Sequence, residues 1–153
     1  MSEYPKERYD ISDLRQIVAL LRSENGCPWD RVQTHQSIRR DFIEETYEAV
    51  EAIDKQDPVL LQEELGDVLL QVVFHAQIEE EAGRFSLDDV VSDICEKMVV
   101  RHPHVFGELT VDSTGEVLKN WEAIKNRLKG TASYTETLEL VPEDDPALIR
   151  GQM

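Results

Sequence analysis

Two short acidic segments hold the side chains of this chain best suited to chemistry: Glu44-Glu45-Thr46-Tyr47-Glu48 and Glu64-Leu65-Gly66-Asp67. Glu45 and Glu48 are three positions apart, as are Glu64 and Asp67, and residues at that spacing share a helix face. Each segment would therefore aim two carboxylates the same way. The second adjoins an apolar run, Val68-Leu69-Leu70 and Val72-Val73-Phe74, and a helix that is apolar on most faces is a buried one. Ionised acids rarely enter such surroundings unpaired. If the two pairs face each other, carboxylates about 5 Å apart repel by roughly 3 kcal/mol at an effective dielectric of about 20. A divalent cation relieves that repulsion, and all-oxygen, all-acid donor sets suit hard ions such as Mg²⁺ or Mn²⁺.

Three readings of these acids compete. The first is a solvated helix face, which suits Glu79, Glu80 and Glu81 near a helix end and also Glu51 and Asp54. It suits Glu64 and Asp67 less well, because their neighbours are apolar. The second is a di-iron carboxylate bundle, which needs Glu three residues before His on two helices. Three residues before His35, His75, His102 and His104 stand Val32, Val72, Val99 and Arg101, so this reading fails on ligand type. The third is magnesium-dependent phosphoryl chemistry, in which metals held by carboxylates bind phosphate oxygens and acidify a bound water. Such a site also needs cations for the remaining phosphate charge and a surface for the base. Lys97 and Arg101 are four apart on one predicted helix, and Trp121 and Lys125 are four apart on the next. Taken singly, they read equally as surface cations and a core tryptophan.

The elements that must position these groups are helices. Leu14, Ile17, Val18 and Leu21 recur at helical spacing after Ser12 as a predicted N-cap. Asn25-Gly26 supplies a stop, and Cys27-Pro28-Trp29-Asp30 reads as a loop. A second helix is expected from about Thr34 to Asp54, with Ile38, Phe42, Ala49, Val50 and Ile53 on its apolar positions. Asp57-Pro58 opens a third, since an acid caps well and Pro is tolerated in the first turn. It should run to about Ala82, with Gly83 at its C′ position. Ser86 and Asp89 resemble a cap for a fourth helix, with Leu87, Val91, Ile94 and Met98 on its inner face. Pro103 ends it. Ser113 with Glu116 would open a fifth, with Val117, Trp121, Ile124 and Leu128 on its buried face, closed by Gly130. Glu108 to Val111 is the only weak strand candidate. The expected fold is all-α, an antiparallel helical bundle, because the connections are short. Residues 1–130 read as one domain and 131–153 as an acidic C-terminal tail.

The chain has 153 residues, 41% of them hydrophobic, enough for one domain with a core. A formal net charge of −16 argues against nucleic-acid backbones and anionic membranes as partners. Cys27 and Cys95 fit no metal-ligand spacing and read as reduced thiols. Met1 to Asp10 lacks the apolar stretch of a signal peptide. The longest apolar run, Val68 to Ala76, is interrupted by Gln71 and His75 and is too short to span a membrane. A soluble cytoplasmic protein is expected. His102 and His104 flank Pro103 and read as phosphate contacts or as parts of a turn.

Glu44-Glu45-Thr46-Tyr47-Glu48, fifteen residues, then Glu64-Leu65-Gly66-Asp67 resembles the EExxE…ExxD signature of MazG-type nucleoside triphosphate pyrophosphohydrolases. Cys27-Pro28-Trp29-Asp30, Gln33-Thr34-His35, Gly66 through Ala76, Gly83-Arg84-Phe85 and Arg101 through Gly107 resemble further blocks of that family, in order. The resemblance spans roughly residues 11–129. It implies an all-α enzyme that cleaves nucleoside triphosphates between the α and β phosphates. It implies Mg²⁺, or Mn²⁺, bound by Glu45, Glu48, Glu64 and Asp67, with Glu44 completing the motif and offered as the group that orients the water. Lys97, Arg101, Trp121 and Lys125 match positions that contact the nucleotide. The resemblance also implies a homodimer or larger homo-oligomer whose four-helix unit carries the carboxylates, with broad specificity and a nucleotide house-cleaning role. The alternatives are a catalytically silent regulatory or interaction domain, and a pyrophosphatase restricted to one nucleotide such as dUTP or dCTP. Gly66 would be explained by close approach of another helix backbone.

Overall fold

The computed structural model describes residues 3–107 and 122–123. Among them the chain is helical throughout and forms no strand: α1 (Ile11–Leu21), α2 (Pro28–Arg31), α3 (His35–Asp54), α4 (Pro58–Glu81), α5 (Leu87–Val100) and α6 (Pro103–Phe106). The chain divides into two compact units, residues 1–92 and 93–153. The expected fifth helix and the strand candidate Glu108 to Val111 lie outside the described residues, apart from Glu122 and Ala123, which are helical.

Local signals set most helix ends where the sequence placed them. Thr34 caps α3 and exchanges hydrogen bonds with Ser37. Asp57 caps α4 by accepting from the Leu60 amide, with Pro58 in the first turn. Gly83 follows α4 with φ +73°, a left-handed conformation that glycine adopts without a Cβ clash. Ser86 and Asp89 bond reciprocally at the start of α5. Two boundaries differ from expectation. Asp10, not Ser12, caps α1, because Asp10 and Asp13 each accept from the other's amide, at 2.9 and 3.0 Å. Such a cap contributes about 1 kcal/mol. The expected loop at Cys27-Pro28-Trp29-Asp30 instead forms a single helical turn, α2, with Pro28 at its first position.

In the first unit α4 packs against both α1 and α3. Val18, Ile38, Val73, Phe74, Ala76 and Leu87 form the core, with Leu14, Val72 and Ile78 packed on it. Val18 and Val73 are 0% and 1% exposed, and burying one such side chain stabilises by about 1.5–3 kcal/mol. Arg22 ties the layers polarly. It donates to both Glu81 oxygens at 2.9 and 3.1 Å and to the carbonyls of Asp30 and Gln33 at 2.7 and 2.9 Å. Its guanidinium also lies 5.2 Å from the Phe74 ring.

The apolar run of α4 is not wholly buried. Leu65 is 53% exposed and Leu69 42%, and on α3 Val50 and Ile53 are 45% and 56% exposed. Val91, Ile94 and Met98, expected on an inner face of α5, are also exposed within the chain. Nothing lies within 4 Å of a Cβ built at Gly66. The expected close approach of a helix backbone at this glycine is therefore not made among the described residues.

Candidate metal centre

α3 and α4 are joined by three residues and run antiparallel, which brings the two acid pairs level with each other. Oxygens of Glu45, Glu48, Glu64 and Asp67, one from each, all lie within 4.8 Å of one another. Helical spacing puts each pair on one face; the α3–α4 packing turns those faces together. Glu64 is buried at 8% exposure, Glu45 and Asp67 are half-buried, and Glu48 is exposed. The cluster therefore opens to solvent on the Glu48 side.

Electrostatics shows that these groups do not sit together easily as bare carboxylates. Burial, then the charges of Glu48 and Asp67, push the Glu45 carboxyl up to about 7. Burial and a hydrogen bond with Glu48 raise Glu64. One oxygen of Glu45 and one of Glu64 are buried without a hydrogen-bond partner, and an unpaired buried polar atom is costly. Four clustered carboxylates with orphaned oxygens are the donor set a hard divalent cation takes. The residues fit such an ion.

Glu44 stands apart from the four: it is exposed and accepts from Arg40 at 2.9 Å. Lys97 is exposed on α5, and Arg101, whose amide bonds the Lys97 carbonyl at 3.0 Å, is buried at 7% exposure. Both belong to the second unit. Trp121 and Lys125 lie outside the described residues. In the second unit His102 Nδ1 lies 2.6 Å from the Met98 carbonyl, and its ring is tilted against that of His104. Cys27 and Cys95 are free thiols.

The acids near the end of α4 do not form a merely solvated face. Glu79 is buried at 8% exposure. It pairs with Arg84 and lies 2.6 Å from His35 Nε2. Hydrogen bonds from Arg84 first, then His35, hold its carboxyl down to about 2. Glu80 pairs with Arg15 and Glu81 with Arg22. The reading of this run from charge alone missed these partners. Local spacing gives no signal for the contact between Glu79 and His35, which lie 44 positions apart.

Residues 33–106 match the MazG nucleotide pyrophosphohydrolase domain, a stretch that holds all four clustered acids. The chain carries a MazG domain. It is 50% identical over 132 residues to the nucleoside triphosphate pyrophosphohydrolase/pyrophosphatase MazG of Thermotoga maritima, covering 86% of this chain and 50% of that protein. It is 43% identical over 143 residues to a nucleoside triphosphate pyrophosphohydrolase of Escherichia coli, covering 93% of this chain and 54% of that protein. An uncharacterized Bacillus subtilis protein, YabN, is 53% identical over 143 residues, covering 94% of this chain and 29% of its own length. The chain thus spans half, or less, of the first two curated relatives by identity. The crystal structure of a MazG-related protein from Thermotoga maritima superposes with a TM-score of 0.63 at 28% identity, covering 76% of this chain and 99% of that one. No helix among the described residues of this MazG chain is long and apolar enough to cross a membrane.

Proposed function

We propose that this MazG chain hydrolyses nucleoside triphosphates, ribo- and deoxyribo-, between the α and β phosphates. Water adds to the α-phosphorus, the bond from that phosphorus to the bridging oxygen breaks, and a monophosphate and pyrophosphate leave. The observation that carries this reading is the convergence of Glu45, Glu48, Glu64 and Asp67 within 4.8 Å, in a family whose curated members are named for this activity.

In this proposal the four carboxylates hold Mg²⁺, with Mn²⁺ as an equally hard substitute. The bound ion would neutralise phosphate oxygens and lower the pKa of a coordinated water. The protein contributes position and charge. Glu64 and Asp67 anchor the buried side, while Glu48, exposed, marks the side open to solvent. Lys97 and Arg101 would meet the charge of the phosphates, and Trp121 with Lys125 would contact the nucleoside end. Phosphoryl transfer gains most from such positioning and electrostatic stabilisation.

The proposal includes a homodimer or larger homo-oligomer. Val50 and Ile53 of α3 and Leu65 and Leu69 of α4 leave apolar surface exposed on the two helices that carry the acids, and contiguous apolar surface marks association sites. It also includes broad base specificity, a cytoplasmic location and a house-cleaning role towards surplus or abnormal nucleotides.

Product analysis with each common NTP and dNTP, in Mg²⁺ and in EDTA, tests the reading. Metal-dependent release of monophosphate plus pyrophosphate supports it, and the relative rates report specificity. Release of diphosphate and orthophosphate would overturn the bond assignment. Binding of nucleotide and metal without turnover would mean a silent regulatory domain.

A further inference from the structure

The far end of the α3–α4 pair carries a chain of polar side chains that the proposed chemistry leaves unused. His35 Nδ1 and His75 Nδ1 lie 2.7 Å apart. The two rings are parallel to within 2°, with centroids 5.0 Å apart. On its other side His35 Nε2 lies 2.6 Å from Glu79 Oε1, and Glu79 in turn accepts from Arg84. The Phe42 ring covers His75 at 5.5 Å. His75 Nε2 is buried with no hydrogen-bond partner.

Proton accounting limits what this arrangement allows. Glu79, held down to about 2 by Arg84 and His35, is ionised near neutrality and only accepts. His35 Nε2 must therefore carry a hydrogen. A 2.7 Å contact between the two Nδ1 atoms needs one hydrogen between them, not two and not none. In the neutral pair that hydrogen belongs to His75, and its buried Nε2 is a bare lone pair. When the pair takes one proton, His75 Nε2–H is present whichever ring holds the charge. That buried atom becomes a donor without a partner, at a cost. A second added proton sets N–H against N–H between two cations and breaks the contact.

We infer that His35 and His75 bind protons as one unit, which locks α3 to α4 in its neutral form and releases them on acidification. The groups around the unit agree with this. From α4 and the turn after it come Glu79 and Arg84, already engaged with each other. From α3 come Phe42, which has no charge, and, further along, Arg39 and Asp41. From α1, Arg22 is committed to Glu81 and two carbonyls, and Arg15 to Glu80 and Asp88. Burial and the neighbouring His35 both act to keep His75 uncharged. For a base held uncharged in the fold, stability is present above its ordinary value of 6.5 and is lost as pH falls below it.

The test compares melting temperatures of the full chain at about pH 8 and about pH 5.5, a span that brackets histidine titration. His75→Gln and His35→Gln each keep an amide able to make the contact but cannot titrate. All other titrating groups are common to the proteins compared. Relative to wild type, each variant should gain melting temperature between about pH 8 and about pH 5.5, a difference in which the opposing titration of Glu45 cancels, and the double variant should gain no more than either single one. Wild-type pH dependence in either single variant, or gains that simply add in the double, would overturn the inference. If a variant does not fold, imidazole ¹⁵N shifts of the wild-type protein decide. Joint titration of the two rings supports the unit, and two independent titrations overturn it.

Discussion

Glu45 and Asp67 belong to different helices, yet each places a carboxylate oxygen within 4.8 Å of the other. This contact works against the fold and in favour of a bound cation. Replacing either acid by its amide, Glu45→Gln or Asp67→Asn, should therefore shift two quantities in opposite directions. Turnover in Mg²⁺ should fall by at least about 100-fold, as expected when a charge-stabilising group is removed from a phosphoryl-transfer site. The melting temperature in EDTA should rise, because one repelling charge is gone. Steady-state rates and thermal melts on the same samples check both.

The pH dependence of the metal-free protein should carry the same signature. The Glu45 carboxyl is raised from 4.5 to about 7 by burial and by Glu48 and Asp67. A raised value means the folded state holds a proton that the unfolded state has released, so the associated stability is complete below about 4.5 and is lost as pH rises through about 7. Melting temperature in EDTA should decline across that window. Saturating Mg²⁺ should flatten the decline, since the ion replaces the proton.

Glu44 offers a separation of roles within one motif. Its carboxylate is exposed and paired with Arg40, and exposed pairs at this spacing contribute about 0.3–0.5 kcal/mol. Glu44→Gln should leave melting temperature and Mn²⁺ affinity close to wild type. If Glu44 orients the attacking water, turnover alone should fall. Unchanged turnover in this variant would remove Glu44 from the chemistry.

Gly66 lies in α4 between two of the clustered acids, and a Cβ there would meet nothing within 4 Å among the described residues. Gly66→Ala should stabilise the protein by up to about 1 kcal/mol through helix propensity, seen in a denaturant melt. A lower stability instead would show that a neighbour outside the described residues, such as a second copy of the chain, closes on this position.

Glu79 predicts an acid-side effect. Hydrogen bonds from Arg84 and His35 lower its carboxyl from 4.5 to about 2. The stability it adds is present above about 4.5 and is lost as pH falls towards about 2. Glu79→Gln should therefore melt below wild type at neutral pH, and the two curves should converge as pH drops through that window.

Much of this was legible in the residues. Thr34, Asp57 with Pro58, Gly83, and Ser86 with Asp89 mark helix ends through contacts no further than four residues away. The same short range fixes that Glu45 and Glu48, or Glu64 and Asp67, share a face. Helix existence, the all-α class and two paired acid faces follow from local periodicity and capping, which the order of side chains encodes directly. Even there, the choice between Asp10 and Ser12 as the cap of α1 turned on a reciprocal bond with Asp13 that spacing alone did not single out.

What the sequence could not decide depends on which helix packs on which. Antiparallel packing of α3 on α4 turns two ordinary acid pairs into one cluster and raises Glu45. The same packing buries Glu79 between His35 and Arg84, although its charge and its place near a helix end read as solvent-facing. It also leaves Leu65 and Leu69 exposed, although their run reads as core. Burial and protonation are set by groups distant in sequence, through desolvation and through charges a few ångströms away. Local pattern carries no record of those neighbours; only the tertiary structure supplies them.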